Sequence, residues 1–293
     1  MRAATDALRA AGIDEPRLDA EVLLAEASGL SRAALNAGAE LEPAAARRFG
    51  ETVRRRLRRE PVAYIVGRKG FRRLELEVDR RVLVPRPETE LLVELALELR
   101  PARVLDVGTG SGAIALAVAD ELPDAEVVAT DSSPGALEVA RANAARLGLA
   151  DRVRFVPGTL PEDEVFDLVL ANLPYVAERD WPTLQPEVTQ WEPKEALLAG
   201  PDGLDAYRTL FAPNGCLFFG PPGCGCPSFG MPEEKTTTAA GAEERTTTVA
   251  VEVGEGQAKA VAELVQGAGF DQIEVRRDLA GIERVVVGHG GAA

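Results

Sequence analysis

The hydrophobic positions change period along the chain. In residues 1–60, apolar side chains such as Leu18, Val22 and Leu23 recur at helical spacing, and loop signals fall at "SGLS" and "LEP". Pro43 suits the first turn of a helix through "AAARRFGETVRRRLRR". This pattern predicts a small helical bundle over residues 1–61. Residues 62–84 read differently. In "VAYIVGRKGFRRLELEVD", β-branched and aromatic residues flank a glycine-containing turn, which predicts a hairpin or an extended linker. "VLVPRPETE" then leads into a helix "TELLVELALELR", with Thr89 as candidate N-cap. From Ala102 short apolar runs alternate with helical periods. "RVLDVG", "EVVATD", "VRFVPG" and "FDLVLAN" read as strands; "GAIALAVADEL" and "PGALEVARANAARLG" read as helices. Alternation at this spacing predicts an α/β domain over residues 85–293, built on a mostly parallel sheet with helices on both faces. "KAVAELVQGAGF", "IEVRRD" and "ERVVVGH" supply a last helix and two closing strands.

One region breaks the alternation. Residues 213–247 are rich in Gly, Pro and Thr and carry a short tandem repeat, "EEKTTTAAGA" followed by "EERTTTVAVE". They read as an inserted loop. Two segments, "GCLFF" and "TVAVEVG", compete for the fifth strand of the sheet. "GPPGCGC" is similar to the start of a phosphate-binding loop, but Cys226 stands where the lysine would be, so no nucleotide triphosphate site is expected.

Composition narrows the classes. The chain has 293 residues and is 46% hydrophobic and 27% charged, as globular proteins are. No apolar run approaches the length of about 18 residues that spans a bilayer. The N-terminal "MRAATDALRAAG" lacks an apolar signal core, so a cytoplasmic protein is expected. The three cysteines lie between positions 216 and 226 and form no disulfide framework. With one histidine, His289, and no second cysteine pair, neither a metal site nor a histidine-based triad is expected. A net charge of −14 argues against a general nucleic-acid binder. The charge is uneven, however. Arg47 to Arg81 holds 13 Lys/Arg against 5 Asp/Glu, a net of +8, which leaves −22 for the rest. Such a stretch is either a solvated helix face or a docking surface for an acidic partner or RNA.

"VLDVGTGSGAIALA" is a strand, a glycine-rich turn and a helix. Gly108, Gly110 and Gly112 permit a tight turn and a close backbone approach to a ligand. Their alternation departs from the G-x-G-x-x-G fingerprint of dinucleotide sites. Asp131 ends the next strand, at the spacing where a carboxylate grips ribose hydroxyls. Asp106 has two open roles: holding a cationic ligand group or ordering the loop. The ligand should lie at the C-terminal edge of the sheet. This arrangement resembles the class I S-adenosylmethionine-dependent methyltransferases, whose fold is Rossmann-like. The resemblance implies that Gly108, Thr109, Gly110, Ser111 and Gly112 wrap the methionine part of the donor and that Asp131 binds its ribose. Many members carry an acidic residue after the third strand, near the adenine. This chain has Thr159 there, which leaves Leu160 as apolar packing.

The fourth strand ends in Asn172-Leu173-Pro174-Tyr175. A planar amide or amino nitrogen is a poor nucleophile because its lone pair is delocalised. An enzyme helps by accepting its N–H bonds and orienting it. Asn172 offers a side-chain oxygen beside the donor, Leu173 or Pro174 a main-chain carbonyl fixed by the proline, and Tyr175 a ring to pack on the planar group. The turn alone is also explained by ordinary Asn and Pro turn chemistry. "N-P-P-Y" at this place resembles methyltransferases of planar nitrogen, both the adenine-N6 enzymes and the protein-glutamine N5 enzymes. Leu173 replaces the first proline, as in rRNA adenine dimethyltransferases, so this motif leaves both open.

"PVAYIVGRKGF", "VLVPRPETELLVE", "DVGTGSGAIALA", "WEPKEALLAGPDGLDAYR" and "EVGEGQ" occur in this order. Together they resemble the bacterial release factor glutamine methyltransferases, the HemK/PrmC family, over nearly the whole chain outside the insert. The resemblance implies a methyl transfer from S-adenosylmethionine to the side-chain amide of the Gly-Gly-Gln glutamine of class I peptide chain release factors. It implies that Asn172, Leu173, Pro174 and Tyr175 hold that amide and that the N-terminal domain docks the factor. No membrane and no nucleic acid would take part. It also places the fifth strand at "TVAVEVG". A ribosomal-protein glutamine, an adenine, or donor binding without catalysis remain alternatives. "PRPETE" and "WEPKEAL" either shape the pocket rim or let Arg86 or Glu192 touch the substrate backbone.

Overall fold

The computed structural model describes residues 1–37, 39–161, 164–212 and 247–290. The expectations for the insert, its phosphate-loop likeness and its cysteines fall outside the described residues.

The chain opens with helices α1 (Arg2–Ala10), α2 (Pro16–Ser28), α3 (Arg32–Asn36), α4 (Pro43–Leu57) and α5 (Val62–Val66). Prolines occupy the first turns of α2 and α4, where their missing N–H costs nothing. Leu8, Ile13 and Ala20 form one apolar cluster between these helices, and Leu23, Val53 and Ile65 form another. Leu18 faces outward from α2.

The stretch expected to open a hairpin at residue 62 starts instead as α5. Pro61 sets its N-terminus, and Gly67 closes it in the left-handed conformation at φ 79°. Burial overrides the β-propensity of Val, Ile and Tyr here. Ile65 packs into the bundle, and the Tyr64 hydroxyl donates to the Val82 carbonyl at 2.6 Å. The hairpin follows as β1 (Arg68–Phe71) and β2 (Leu74–Glu77), antiparallel, with Arg72 at φ 51° in the turn rather than a glycine.

A one-turn 3-10 helix (Pro87–Thr89) leads into α6 (Glu90–Leu99). Then come β3 (Arg103–Val107), α7 (Ala113–Glu121), β4 (Glu126–Asp131), α8 (Pro134–Leu147), β5 (Val153–Pro157) and β6 (Leu168–Ala171). Helices α9 (Pro186–Trp191) and α10 (Asp205–Leu210) follow. β7 (Thr248–Glu252), α11 (Ala258–Gly267), β8 (Phe270–Arg277) and β9 (Glu283–Gly290) complete the described chain. The fifth strand is therefore "TVAVE", as the family resemblance implied.

Among the described residues these strands form a seven-stranded sheet in the order β5-β4-β3-β6-β7-β9-β8. All neighbours are parallel except β9, which is antiparallel to β7 and β8. Both faces are covered, which is why the inner strands read as continuous apolar runs. Val104, Leu168, Leu170, Ala250 and Val285 face the cluster that includes Leu92 of α6 and the Ala-rich α7. Leu105, Val169, Val249, Val251 and Val286 face a second cluster with Tyr207 and Val261. The strand order reverses at β3, between β4 and β6. In open α/β sheets a crevice opens at that switch, outside the carboxyl ends of the strands.

Part of the basic stretch turns inward. Arg56 reaches Asp19 at 2.6 Å and Glu187 of α9 at 2.7 Å, and Arg59 reaches Glu187 at 2.7 Å. Arg72 pairs with Glu121 of α7, Arg68 with Glu26, and Arg81 with Asp79 and Glu138. Much of the charge read as a docking surface thus ties the N-terminal bundle and the hairpin to the sheet domain. Trp191 lies on the same seam. Its indole N–H donates to the Arg58 carbonyl at 3.2 Å, and the Arg80 guanidinium stands 4.0 Å from its ring centroid. Among the described residues no helix is long and apolar enough to cross a membrane.

Candidate active site

The register of the sheet assembles the site. Val107 pairs with Ala171, so the turn after β3 and the corner after β6 leave the sheet side by side. A cavity of about 420 Å³ opens there, at the switch point. Its walls include the glycine-rich turn, Asp131, Thr159, Asn172, Leu173 and Pro174, together with Arg86 and Thr89 from the segment before α6.

The turn is built on left-handed glycines: Gly108 at φ 74°, Gly110 at 56° and Gly112 at 85°. The N–H groups of Gly108 and Thr109 both donate to the Thr130 carbonyl, at 2.9 and 2.8 Å. A Cβ on Gly108 would press on Leu173 at 3.2 Å; a Cβ on Gly112 would meet Leu116 at 2.9 Å. One on Gly110 would meet nothing within 4 Å and would project into open space. Gly108, Thr109, Gly110 and Ser111 line the cavity; Gly112 packs behind it.

Asp106 is fully buried and does not line the cavity. Its Oδ2 accepts from the Thr109 hydroxyl at 2.6 Å and from the Ala115 N–H at 3.1 Å, so the loop-ordering role is the one its contacts fill. Its Oδ1 is buried without a hydrogen-bond partner among the described residues. Burial raises this carboxyl to about 7, against the pull of Thr109 and Ala115. Asp131 lines the cavity. It accepts from Gly110 N–H through Oδ2 at 2.9 Å and from Ser133 N–H through Oδ1 at 2.8 Å, bracing the turn against α8.

The corner after β6 is held from behind. The Gln257 amide donates to the Tyr175 carbonyl at 2.9 Å and accepts from Gly254 N–H at 3.0 Å. Gly203 approaches so closely that a Cβ there would lie 2.4 Å from the Tyr175 carbonyl oxygen. Tyr175 does not line the cavity. Its half-buried ring joins the apolar cluster that contains Val253, and burial raises its hydroxyl to about 12. Leu160 also stands off the cavity and packs on the same cluster, while Thr159 takes the wall position. The Asn172 side-chain amide donates to the Thr89 hydroxyl at 2.9 Å. Thr89 does stand at the N-cap of α6, but its side chain makes no capping bond.

"PRPETE" and "WEPKEAL" meet each other. Arg86 donates to Glu192 at 2.5 Å, and Glu192 also accepts from Val84 N–H at 3.2 Å. Glu192 is buried and satisfied by this rim, so the rim-shaping role fits it.

The cavity suits S-adenosylmethionine on two counts. Gly110 leaves room where any side chain would intrude, and the Asp131 carboxylate stands at the end of β4 on the cavity wall.

Comparison with known proteins agrees with this geometry. The family described as "PrmC N-terminal domain" matches residues 1–67, so its match takes in α5, and the family described as "Methyltransferase domain" matches residues 104–191. A release factor glutamine methyltransferase of Cereibacter sphaeroides is 41% identical over 290 residues, 98% of this chain and 95% of that protein. This chain belongs to the release factor glutamine methyltransferase family. Another member, from Caulobacter vibrioides, is 39% identical over 98% of this chain and 93% of its own. The fold extends further. The hMettl16 catalytic domain in complex with a MAT2A 3'UTR hairpin matches with a TM-score of 0.53 at 13% identity, over 73% of this chain and 74% of that one, which shows the fold alone. The methyl donor of this class I methyltransferase is S-adenosylmethionine.

Two residues behind this chain's Asn-Leu-Pro-Tyr corner carry no local sequence signal. They are Gln257, in "EVGEGQ", and Gly203, in "PDGLDAY". Glu252 had a visible signal, a carboxylate closing the apolar run "TVAVE".

Proposed function

We propose that this protein transfers a methyl group from S-adenosylmethionine to the side-chain amide nitrogen of a glutamine in a peptide chain release factor, the Gly-Gly-Gln glutamine of the class I factors. Family membership over nearly the full chain carries the reading, and Asn172 and Pro174 on the cavity wall support it. The bound donor supplies an electrophilic methyl on a positively charged sulfur. The turn from Gly108 to Ser111 and Asp131 hold the donor. Asn172 Oδ1 accepts one N–H of the glutamine amide, and a main-chain carbonyl of Leu173 or Pro174 accepts the other. Both bonds orient the nitrogen and add electron density as it attacks. Pro174 has no N–H and so offers no competing donor. Tyr175 buttresses this corner from the core side. No strong base is required, because the nitrogen becomes acidic once methylated and water takes its proton. The N-terminal domain docks the body of the factor.

Methyl transfer from labelled S-adenosylmethionine to a purified class I release factor tests the reading. Label is expected on the normal factor and absent from one whose Gly-Gly-Gln glutamine is replaced by alanine. No label on either, with the donor bound, overturns it.

A further inference from the structure

We infer that Gln257 is a positioning residue for the methyl transfer: its side-chain amide clamps the peptide bond after Tyr175 and so fixes where the Leu173 and Pro174 carbonyls point. The inference rests on the function proposed above, which gives one of those carbonyls an N–H of the substrate amide. Gln257 stands at the N-cap of α11, yet its side chain makes no capping bond to that helix. It turns back toward the corner after β6 instead. Its Nε2 donates to the Tyr175 carbonyl at 2.9 Å and to the Gly203 carbonyl at 3.3 Å, while its Oε1 accepts from Gly254 N–H at 3.0 Å. One planar group thus joins three segments: the corner itself, the stretch before α10 and the loop after β7. The Gln257 main-chain N–H also donates to the Gly254 carbonyl at 3.1 Å, which closes the turn that carries the side chain.

The two ends of this amide are not interchangeable. Carbonyl oxygens only accept and a main-chain N–H only donates, so the NH2 end must face Tyr175 and Gly203 and the oxygen must face Gly254. The space is cut to the group. A Cβ on Gly203 would come within 2.7 Å of Gln257 Nε2. One on Gly254 would come within 2.8 Å of Gln257 Oε1 and 3.1 Å of Tyr175 Cδ2. Both glycines are buried.

The clamped peptide bond is held at its other end as well. Val176 N–H donates to the Leu197 carbonyl at 2.8 Å, and Ala199 N–H donates to the Val176 carbonyl at 3.0 Å. On the other side of the corner, Ala171 is locked in the sheet between Val107 and Val251. Asn172, Leu173, Pro174 and Tyr175 alone span these two anchors, and the Pro174 ring fixes one torsion between them. The carbonyls that receive the substrate N–H therefore hang on a short span tied at both ends. Releasing the Gln257 tie lets the Tyr175 carbonyl rotate, and the rotation passes back to the Pro174 carbonyl. A displacement of about 1 Å in such a partner is enough to slow the reaction about 10²-fold.

The test compares wild type with Gln257→Met, which keeps the length of the side chain and removes both polar ends, and with Gln257→Glu, which keeps the acceptor alone. Labelled methyl transfer to the release factor gives kcat and KM, and calorimetry gives S-adenosylmethionine affinity. Gln257→Met is expected to lower kcat about 10–100-fold, with KM for the factor and donor affinity kept. A role confined to packing would lower stability and leave kcat of the folded enzyme alone. Wild-type kcat in Gln257→Met, or a loss matched by lost donor affinity, overturns the clamp. Should Gln257→Met not fold, Gln257→Glu decides. Ionised, its carboxylate opposes two carbonyl oxygens; protonated, its O–H donates to Tyr175 while its C=O accepts from Gly254. Its kcat, as a ratio to wild type at the same pH, is expected to recover as pH falls from 8 to 6, and a flat ratio overturns the clamp. Amide exchange followed by NMR, without any acceptor substrate, separates this inference from the substrate reading. Faster exchange of Val176 and Ala199 N–H in Gln257→Met, or in Gln257→Glu at pH 8, with Gly108 and Thr109 unchanged, supports the clamp even where the release factor is not methylated. Unchanged exchange at Val176 and Ala199 overturns it.

Discussion

Asn172 carries two different groups on one planar amide, and only one of them suits a substrate N–H. Asn172→Ala should lower kcat about 10²–10³-fold, the scale of losing one preorganised polar partner of a reacting group, with donor affinity nearly unchanged by calorimetry. Asp106 makes a different prediction, about stability. Its carboxyl is raised from 3.8 to about 7, so the folded state holds this proton more tightly than the unfolded chain. Its contribution is complete below pH 3.8 and is lost as pH rises toward 7. The melting temperature should therefore drop between pH 5 and pH 8, and drop less in Asp106→Asn, as scanning calorimetry would show. Asn172, Pro174, Asp131 and the turn glycines were legible because each sits where a strand ends, and strand ends are readable from apolar runs. The sequence offers Thr89 as an N-cap and Arg86 and Glu192 as rim residues, but not the bonds between Thr89 and Asn172 or between Arg86 and Glu192. These bonds join segments 83 and 106 residues apart, which no local period encodes.

The strand–turn–helix after β3 separates room for a ligand from room for packing. Gly110→Ala places a methyl in open space at φ 56°, a strained backbone costing about 1–2 kcal/mol, and should weaken S-adenosylmethionine binding more than it weakens the fold. Gly112→Ala adds a clash with Leu116 and a tight 3.3 Å approach to Ala140 to the same backbone strain. It should cost about 3 kcal/mol by urea unfolding, from strain and overpacking together. Most elements followed from the sequence because the sheet is buried on both faces and its strands are unbroken apolar runs. The alternation also gave the helices between them. Helix α5 did not follow, because "VAYIV" has a strand-like composition and only its burial against the bundle and Val82 makes it helical. The hairpin turn at Arg72 was likewise hidden: a positive φ at arginine has no sequence signature, and Glu90 accepts from its N–H at 2.9 Å to hold it.

Across the whole molecule, the uneven charge finds much of its complement inside the chain. The basic segment and the acidic remainder meet at a seam where Glu187 holds both Arg56 and Arg59. Arg56 and Glu187 side chains are only 8% and 12% exposed, so Glu187→Gln should leave a buried guanidinium short of its partner and cost about 2 kcal/mol in urea unfolding. Net charge could be counted from the sequence, but its pairing could not, because Glu187 lies 131 residues from Arg56. The seam also contains one of the chain's two tryptophans. Trp191 is stacked beneath Arg80 and bonded to the Arg58 carbonyl, whereas Trp181 lies near Lys194, 5.7 Å from its ring centroid. Parting of the bundle from the sheet domain would release the Trp191 indole into water and shift its fluorescence to longer wavelength. With Trp181 replaced by phenylalanine, the remaining emission would report by its colour whether the two halves of the protein are together or apart, with no dye attached.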